Sequence, residues 1–422
     1  FMNYNNKILL TFTIFILSTI TTFLYLPKGY STIDSLRIQY HRIVNSKNGG
    51  NGKFEKVELL IGDKSLRKLE ESRVLAINRG CLLDSFQYKT KAKLMYRGVK
   101  HDVKVKLKGT LASHWIEPLE WSFRVSLEKD TTVFNDLRIF SLQSRNQRGI
   151  YADYYYHKVL NLFNVINLKY EYVEMYVNGI YLANYTVEEF FDSPLISRNN
   201  RPAGLIFKFV SDRFWEIRTS EDYETKNFSF DLYEDMYSTA PLKFYKNRFP
   251  KNEKRSNDIE FVKKTIDSFK KEEKLTHEIF DISTWGAYFA VNTLFANQHP
   301  ARLTNLRFYF NPETRLIEPI GYDLEHINSL SKVEDYTDIF WVNENRNEVS
   351  VFYRQLFSDS LMMNSYILNL QEIVNSKELD LLLISLKKET DSIIFDQKDT
   401  AESRFYIREN INIISAKLAN GF

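Results

Sequence analysis

Residues 297–323 read NQHPARLTNLRFYFNPETRLIEPIGYD, and this stretch constrains the fold more than any other. A polar, histidine-containing loop leads into the aromatic run 306–310, the turn Asn311-Pro312-Glu313-Thr314, and a second apolar run, 316–322, that ends on an acid. Two short extended runs about a proline-containing turn predict a β-hairpin. Asn305 then sits at the mouth of one strand and Asp323 at the far end of the other, so pairing brings an amide oxygen and a carboxylate together. These are hard oxygen donors, the kind that hold Mg²⁺ alongside phosphate oxygens. An ordinary hairpin with its polar ends in water satisfies the same pattern.

The 422 residues leave room for one large domain or two lobes. A formal net charge of +3 gives no global field for nucleic acid, which is excluded as a partner. The 26 Tyr and 32 Phe, against 14 Gly and 9 Pro, supply the apolar area that an ordered chain needs. Cys81 is the only cysteine, so no intrachain disulfide forms and cysteine usage does not separate oxidising from reducing compartments. Nothing in the pattern specifies an oligomeric state.

Residues 8–26 (ILLTFTIFILSTITTFLYL) carry no charge and are about one bilayer-crossing helix long. Tyr25, Leu26 and Pro27 stand where a small-residue cleavage pattern would be, so the stretch reads as an uncleaved anchor in a lipid bilayer. Lys28, Arg37, Arg42 and Lys47 argue for a cytoplasmic body by the positive-inside rule, whereas the short N-terminal segment favours staying inside. The expectation is a body outside the cytoplasmic membrane. Residues 31–46 follow as an amphipathic helix, and Asn48-Gly49-Gly50-Asn51-Gly52 breaks the chain before the body.

In the body, 54–61 reads as a strand and 63–76 as a helix that Asp63 or Ser65 can cap. The runs 92–96 and 103–107, joined through Arg97-Gly98, fit an antiparallel pair. Lys104, Lys106 and Lys108 share one face of their strand by period two. Such a row is either a solvated face or the wall of a cleft that handles phosphate. The segment 109–115 (GTLASHW), which includes Gly109 and Ser113, is a loop between strands whose backbone N–H groups could meet an anion. Arg124, alternating with apolar neighbours in WSFRVSL, suits either a phosphate or a surface acid.

A further strand spans 137–142, and Arg148 opens a helix over 149–163. The clearest hairpin pairs 172–177 with 180–187 about Asn178-Gly179. Glu188 and Glu189 follow it, as metal ligands or general bases or as soluble punctuation. Residues 243–274 mix Lys and Arg with Asp and Glu, which fits a solvated helical insert laced by i,i+4 pairs. A buried-type helix, 281–296, delivers the chain to the opening hairpin, and helices are expected at 348–357, 377–388 and 401–419. The expected organisation is an anchor (1–30), a linker region (31–53), a β-rich lobe (54–190) and a helical lobe (191–422).

Taken in order, VKLKGTLASHW (105–115), WSFRVSL (121–127), FSLQSRNQRGIYADYYYHK (140–158), VEMYVNGIYLANYTVEE (173–189) and NLRFYFNPETRLIEPIGYD (305–323) resemble the spore coat protein H (CotH) kinase-like family. The resemblance implies an α+β, divergent protein-kinase-like two-lobed fold behind one transmembrane helix, with ATP and Mg²⁺ in the cleft. It implies phosphate transfer to a protein or envelope acceptor, with envelope proteins as partners. On it, Asn305 and Asp323 hold Mg²⁺, and Lys106, Lys108 and Arg124 meet phosphate. Gly109 to Ser113 covers the nucleotide, while Arg148 and Glu188 order the cleft. Two positions depart from the family pattern. Glu120 stands where relatives place lysine before WSFR, and Pro300 where a catalytic aspartate is expected. His299 is the nearest candidate base. The departures open a second expectation, a catalytically inactive pseudokinase that serves envelope assembly or polymer export.

Overall fold

The computed structural model describes residues 50, 52–128, 131–144, 151–220, 231–245, 253–332, 351–391 and 400–420. The uncharged stretch 8–26, the amphipathic stretch 31–46 and Arg148 lie outside them. In chain order the strands are β1 (Glu55–Leu60), β2 (Thr90–Tyr96), β3 (Val99–Leu107), β4 (Phe123–Leu127), β5 (Ile139–Gln143), β6 (Ile166–Asn167), β7 (Tyr170–Val177), β8 (Ile180–Glu189), β9 (Leu205–Phe209), β10 (Leu242–Phe244), β11 (Arg307–Phe310) and β12 (Ile317–Gly321). The longer helices are α1 (Asp63–Arg79), α2 (Ala152–Leu162), α3 (Glu253–Lys270), α4 (Ile282–Leu294), α5 (Ser360–Asn375), α6 (Lys377–Asp391) and α7 (Thr400–Ala419). The chain divides into two compact units, residues 1–147 with 171–188, and residues 148–170 with 189–422.

The first unit is a closed barrel of seven strands in the order β1-β2-β3-β4-β5-β8-β7. Neighbours from β1 through β5 run antiparallel, and β1 closes the ring by lying parallel to β7, with Val57 opposite Met175. Period-two alternation explains the interior. Val103, Val105 and Leu107 of β3, Phe123, Val125 and Leu127 of β4, and Phe140 and Leu142 of β5 fill it together with Leu94, Met175 and Tyr185. Each such fully buried apolar side chain contributes about 1.5–3 kcal/mol relative to exposure. Helix α1 starts after Gly62, whose extended backbone makes no side-chain cap. The capping role expected of Asp63 or Ser65 is therefore corrected: the Ser65 hydroxyl instead donates to the Lys91 carbonyl at 2.7 Å.

The second unit carries a five-stranded sheet, β10-β9-β11-β12-β6. β11 and β12 form an antiparallel hairpin, with Arg307 opposite Ile320 and Phe310 opposite Ile317, and β6 adds to β12 in parallel. Helix α4, capped by the Asp281 carboxylate on the Thr284 N–H, is buried nearly all round. Its Trp285 indole donates to the Ile317 carbonyl at 2.9 Å, tying helix to hairpin. Helix α3 carries the expected i,i+4 pair between Lys264 and Glu260.

These facts correct the expected kinase-like fold. An open β-rich lobe followed by a helical one is replaced by a closed barrel and a unit with its own mixed sheet. The physical reason is the parallel pairing of β1 with β7, which removes the open edge. Among the described residues no helix is long and apolar enough to cross a membrane.

Candidate functional site

Two polar clusters stand out, one in each unit. In the second unit, α4 ends at Leu294 and the chain makes a single tight turn, His299–Ala301, before entering β11. The Asn305 side-chain N–H donates to the carbonyl of His299 at 2.9 Å. From the other end of the hairpin, Asp323 Oδ2 lies 3.3 Å from His299 Nε2, and Glu325 Oε2 lies 3.1 Å from Nδ1. The hairpin thus brings Asn305, His299 and Asp323 together. Asp323 and Glu325 both adopt left-handed backbone, φ +69° and +75°. For residues with a Cβ such backbone is strained, and it persists only where the surroundings hold it. One such hold is the buried Asp153 carboxylate of α2, which accepts the Leu324 N–H at 2.7 Å.

The donor set determines which metal ion would suit this cluster. Among the described residues no group of three or more His, Cys, Asp or Glu could hold a metal ion, so a dedicated cage is excluded there. Mg²⁺ needs no such cage: it keeps water and phosphate oxygens and takes one or two protein ligands. Asp323 supplies a carboxylate, and Asn305, its nitrogen committed to His299, presents its amide oxygen. The pair fits that ion. His299 lies between two carboxylates whose side chains are 12% and 42% exposed.

In the first unit, the outward face of the barrel holds the second cluster. Lys106 on β3 stands opposite Arg124 on β4, and Arg124 opposite Ser141 on β5. The row of lysines divides among three partners: Lys104 meets Glu128 at 3.5 Å, Lys106 meets Gln87, and Lys108 meets Glu188 at 2.8 Å. The Glu188 carboxylate is almost wholly buried and also accepts from the Gln143 amide. Gly109 has φ +91°, and a Cβ there would overlap the His114 ring. His114 Nδ1 in turn lies 3.2 Å from the Ser122 hydroxyl. Ser113 is exposed on the short turn Ala112–His114. The arrangement sets cationic groups beside a buried carboxylate that already engages one of them.

Sequence reasoning missed Asp153, Ser141 and Gln143. Ser141 was read only as part of the strand 137–142 and Gln143 lay just beyond it, yet both are buried polar residues on the outward face of β5. The Ser141 hydroxyl and the Gln143 amide oxygen are buried without a hydrogen-bond partner among the described residues. In comparisons with known proteins, no family model and no curated protein matches this chain.

Proposed function

We propose that the chain is an ATP- and Mg²⁺-dependent phosphotransferase acting on a hydroxyl of a protein or envelope acceptor, with Asp323 and Asn305 holding the ion and His299 as base. The observation that carries this reading is the convergence of an amide and a carboxylate, from the two ends of one hairpin, on a single histidine. The order of sequence motifs resembling the CotH kinase-like family supports it. When bound, Mg²⁺ would neutralise charge on the β- and γ-phosphates. The reading takes the tautomer with the proton on Nδ1, which faces Glu325 Oε2 at 3.1 Å as well as Arg302 Nη1 at 3.4 Å, so that Nε2 is the basic nitrogen. The acceptor oxygen would bond to the γ-phosphorus as the bond to the bridging oxygen breaks and ADP leaves, the hydroxyl's proton passing to Nε2, where Asp323 Oδ2 at 3.3 Å stabilises the imidazolium. In the first unit, Lys106, Lys108 and Arg124 independently support an anionic ligand. Placement at a bacterial cytoplasmic membrane, with the body on its outer side, belongs to the same proposal and is supported by the uncharged stretch 8–26 alone.

A second reading, a non-catalytic assembly protein of the envelope, is favoured by Glu120. The carboxylate that replaces the family's lysine is buried in the first unit, where a phosphate partner was expected. Incubating the full chain with γ-labelled ATP and Mg²⁺ separates the two. The phosphotransferase transfers label to itself or to an added protein acceptor, and Asp323→Ala abolishes the transfer. Nucleotide binding without transfer leaves the assembly reading, and no binding at all overturns the phosphotransferase.

A further inference from the structure

We infer that Asn297 is the positioning residue of this site, setting His299 against Asp323 and Glu325; the inference rests on the phosphotransferase reading. Asn297 is buried, one residue past the short left-handed step at Ala296 that follows α4. Its amide oxygen accepts the His299 N–H at 2.8 Å. Its amide nitrogen donates to two carbonyls of the facing segment, Leu324 at 2.7 Å and His326 at 2.6 Å. One side chain therefore ties the backbone of the base to the backbone that carries both carboxylates.

The two carbonyls bracket the strained part of that segment. Leu324 lies between the left-handed residues Asp323 and Glu325 and is held at both ends, its carbonyl by Asn297 and its N–H by Asp153. His326 follows Glu325 directly. Without the Asn297 amide the His326 N–H still bonds the Leu324 carbonyl at 3.0 Å, but the Leu324 and His326 carbonyls lose their side-chain tie to the His299 loop, and with it a restraint that keeps the Glu325 carboxylate beside Nδ1. Only an amide of this length fits the three bonds. A carboxylate has the acceptor but no donors and would face two carbonyl oxygens, while glutamine is one methylene too long. A merely structural tie would show as lost stability with kcat and KM unaffected in the folded protein. A positioning tie shows in kcat, because an error of about 1 Å at a base lowers the rate about 100-fold.

The test compares the full chain with Asn297→Asp in the labelled-ATP transfer assay across pH, with circular dichroism as the control for folding. The expected result is a kcat about 100-fold lower with KM for ATP changed less than about threefold. The ratio of variant to parent activity rises as pH falls, because the protonated carboxyl regains one donor. If Asn297→Asp does not fold, Asn297→Ser, which keeps one donor and one acceptor, carries the test with an expected loss of about tenfold in kcat. A folded variant with parental kcat, or a loss whose ratio is flat with pH, overturns the role of Asn297. A parent that neither binds nor turns over MgATP overturns the phosphotransferase reading instead, so the two failures are distinguishable.

Discussion

Replacing Lys108 by Met probes the first unit's cluster where it is most constrained. The ammonium lies 2.8 Å from Glu188, the two side chains being 13% and 2% exposed, so the substitution strands a carboxylate with almost no access to water. Breaking a buried pair from one side costs about 3–5 kcal/mol, whereas replacing both partners by neutral groups of similar shape is often close to neutral. The Gln143 amide still donates to Glu188 in the variant, which places the expectation at the lower end, about 3 kcal/mol. With two compact units in the chain, a whole-chain midpoint is not specific to the barrel. Hydrogen exchange resolved on peptides from β3 and β8 reads the effect directly, and about 3 kcal/mol corresponds to about 100-fold faster exchange. The double variant Lys108→Met/Glu188→Gln should recover most of the loss. A single variant that exchanges within about threefold of the parent, or a double variant worse than the single, would refute the reasoning.

Three further outcomes follow from the second unit and from the loop of the first. Asp359 caps α5 through the Leu361 N–H and takes both the backbone N–H and the ring of His277. Burial pushes its carboxyl up, but the hydrogen bonds from His277 and Leu361 and the His277 charge together hold it below the usual carboxylate range. Its folded pKa being depressed, the carboxylate stabilises the fold above the unfolded value of about 3.9 and loses that effect as pH falls below it. Asp359→Ala should therefore lower stability by about 1 kcal/mol at neutral pH, with the gap closing in acid, as urea titrations at several pH values would show. Gly286→Ala should destabilise by about 1–3 kcal/mol, because its Cβ would meet the Ser365 hydroxyl and, just behind it, the Ser365 backbone where α4 and α5 approach; chemical denaturation checks it. Gly109→Ala should destabilise the barrel by about 1–3 kcal/mol, because its Cβ would overlap the His114 ring at a left-handed backbone; hydrogen exchange on peptides from β3 checks it.

What the sequence made legible was local. The 306–322 hairpin and the Asn178-Gly179 hairpin could be read because alternation and turn residues lie within a few positions of each other, and β11/β12 and β7/β8 formed as those signals require. Barrel closure was illegible, since β1 meets β7 in parallel more than a hundred positions away and leaves no periodic trace. The kinase-like lobe was expected from the motifs that resemble the CotH family, and no local signal stood against it. The lysine row shows a different limit: period two placed Lys104, Lys106 and Lys108 on one face, but their partners come from three separate segments. Asn297 and Asp153 carried no pattern at all. A lone polar residue on a buried helix or after its end becomes informative only when the carbonyl or N–H it meets is known.

The central claim, that Asn305 and Asp323 hold a magnesium nucleotide, is tested most directly by thermal unfolding of the full chain with ATP, in the presence and absence of Mg²⁺. At a ligand concentration about 100 times Kd, binding to the folded state adds about 2.7 kcal/mol, a rise of about 5–10 °C in the midpoint of the unit that binds. The account predicts that rise for the parent with ATP and Mg²⁺ together, its loss on chelation, and its absence in Asp323→Ala. A parent whose midpoint does not move with MgATP, or an Asp323→Ala variant that responds as the parent does, would contradict it.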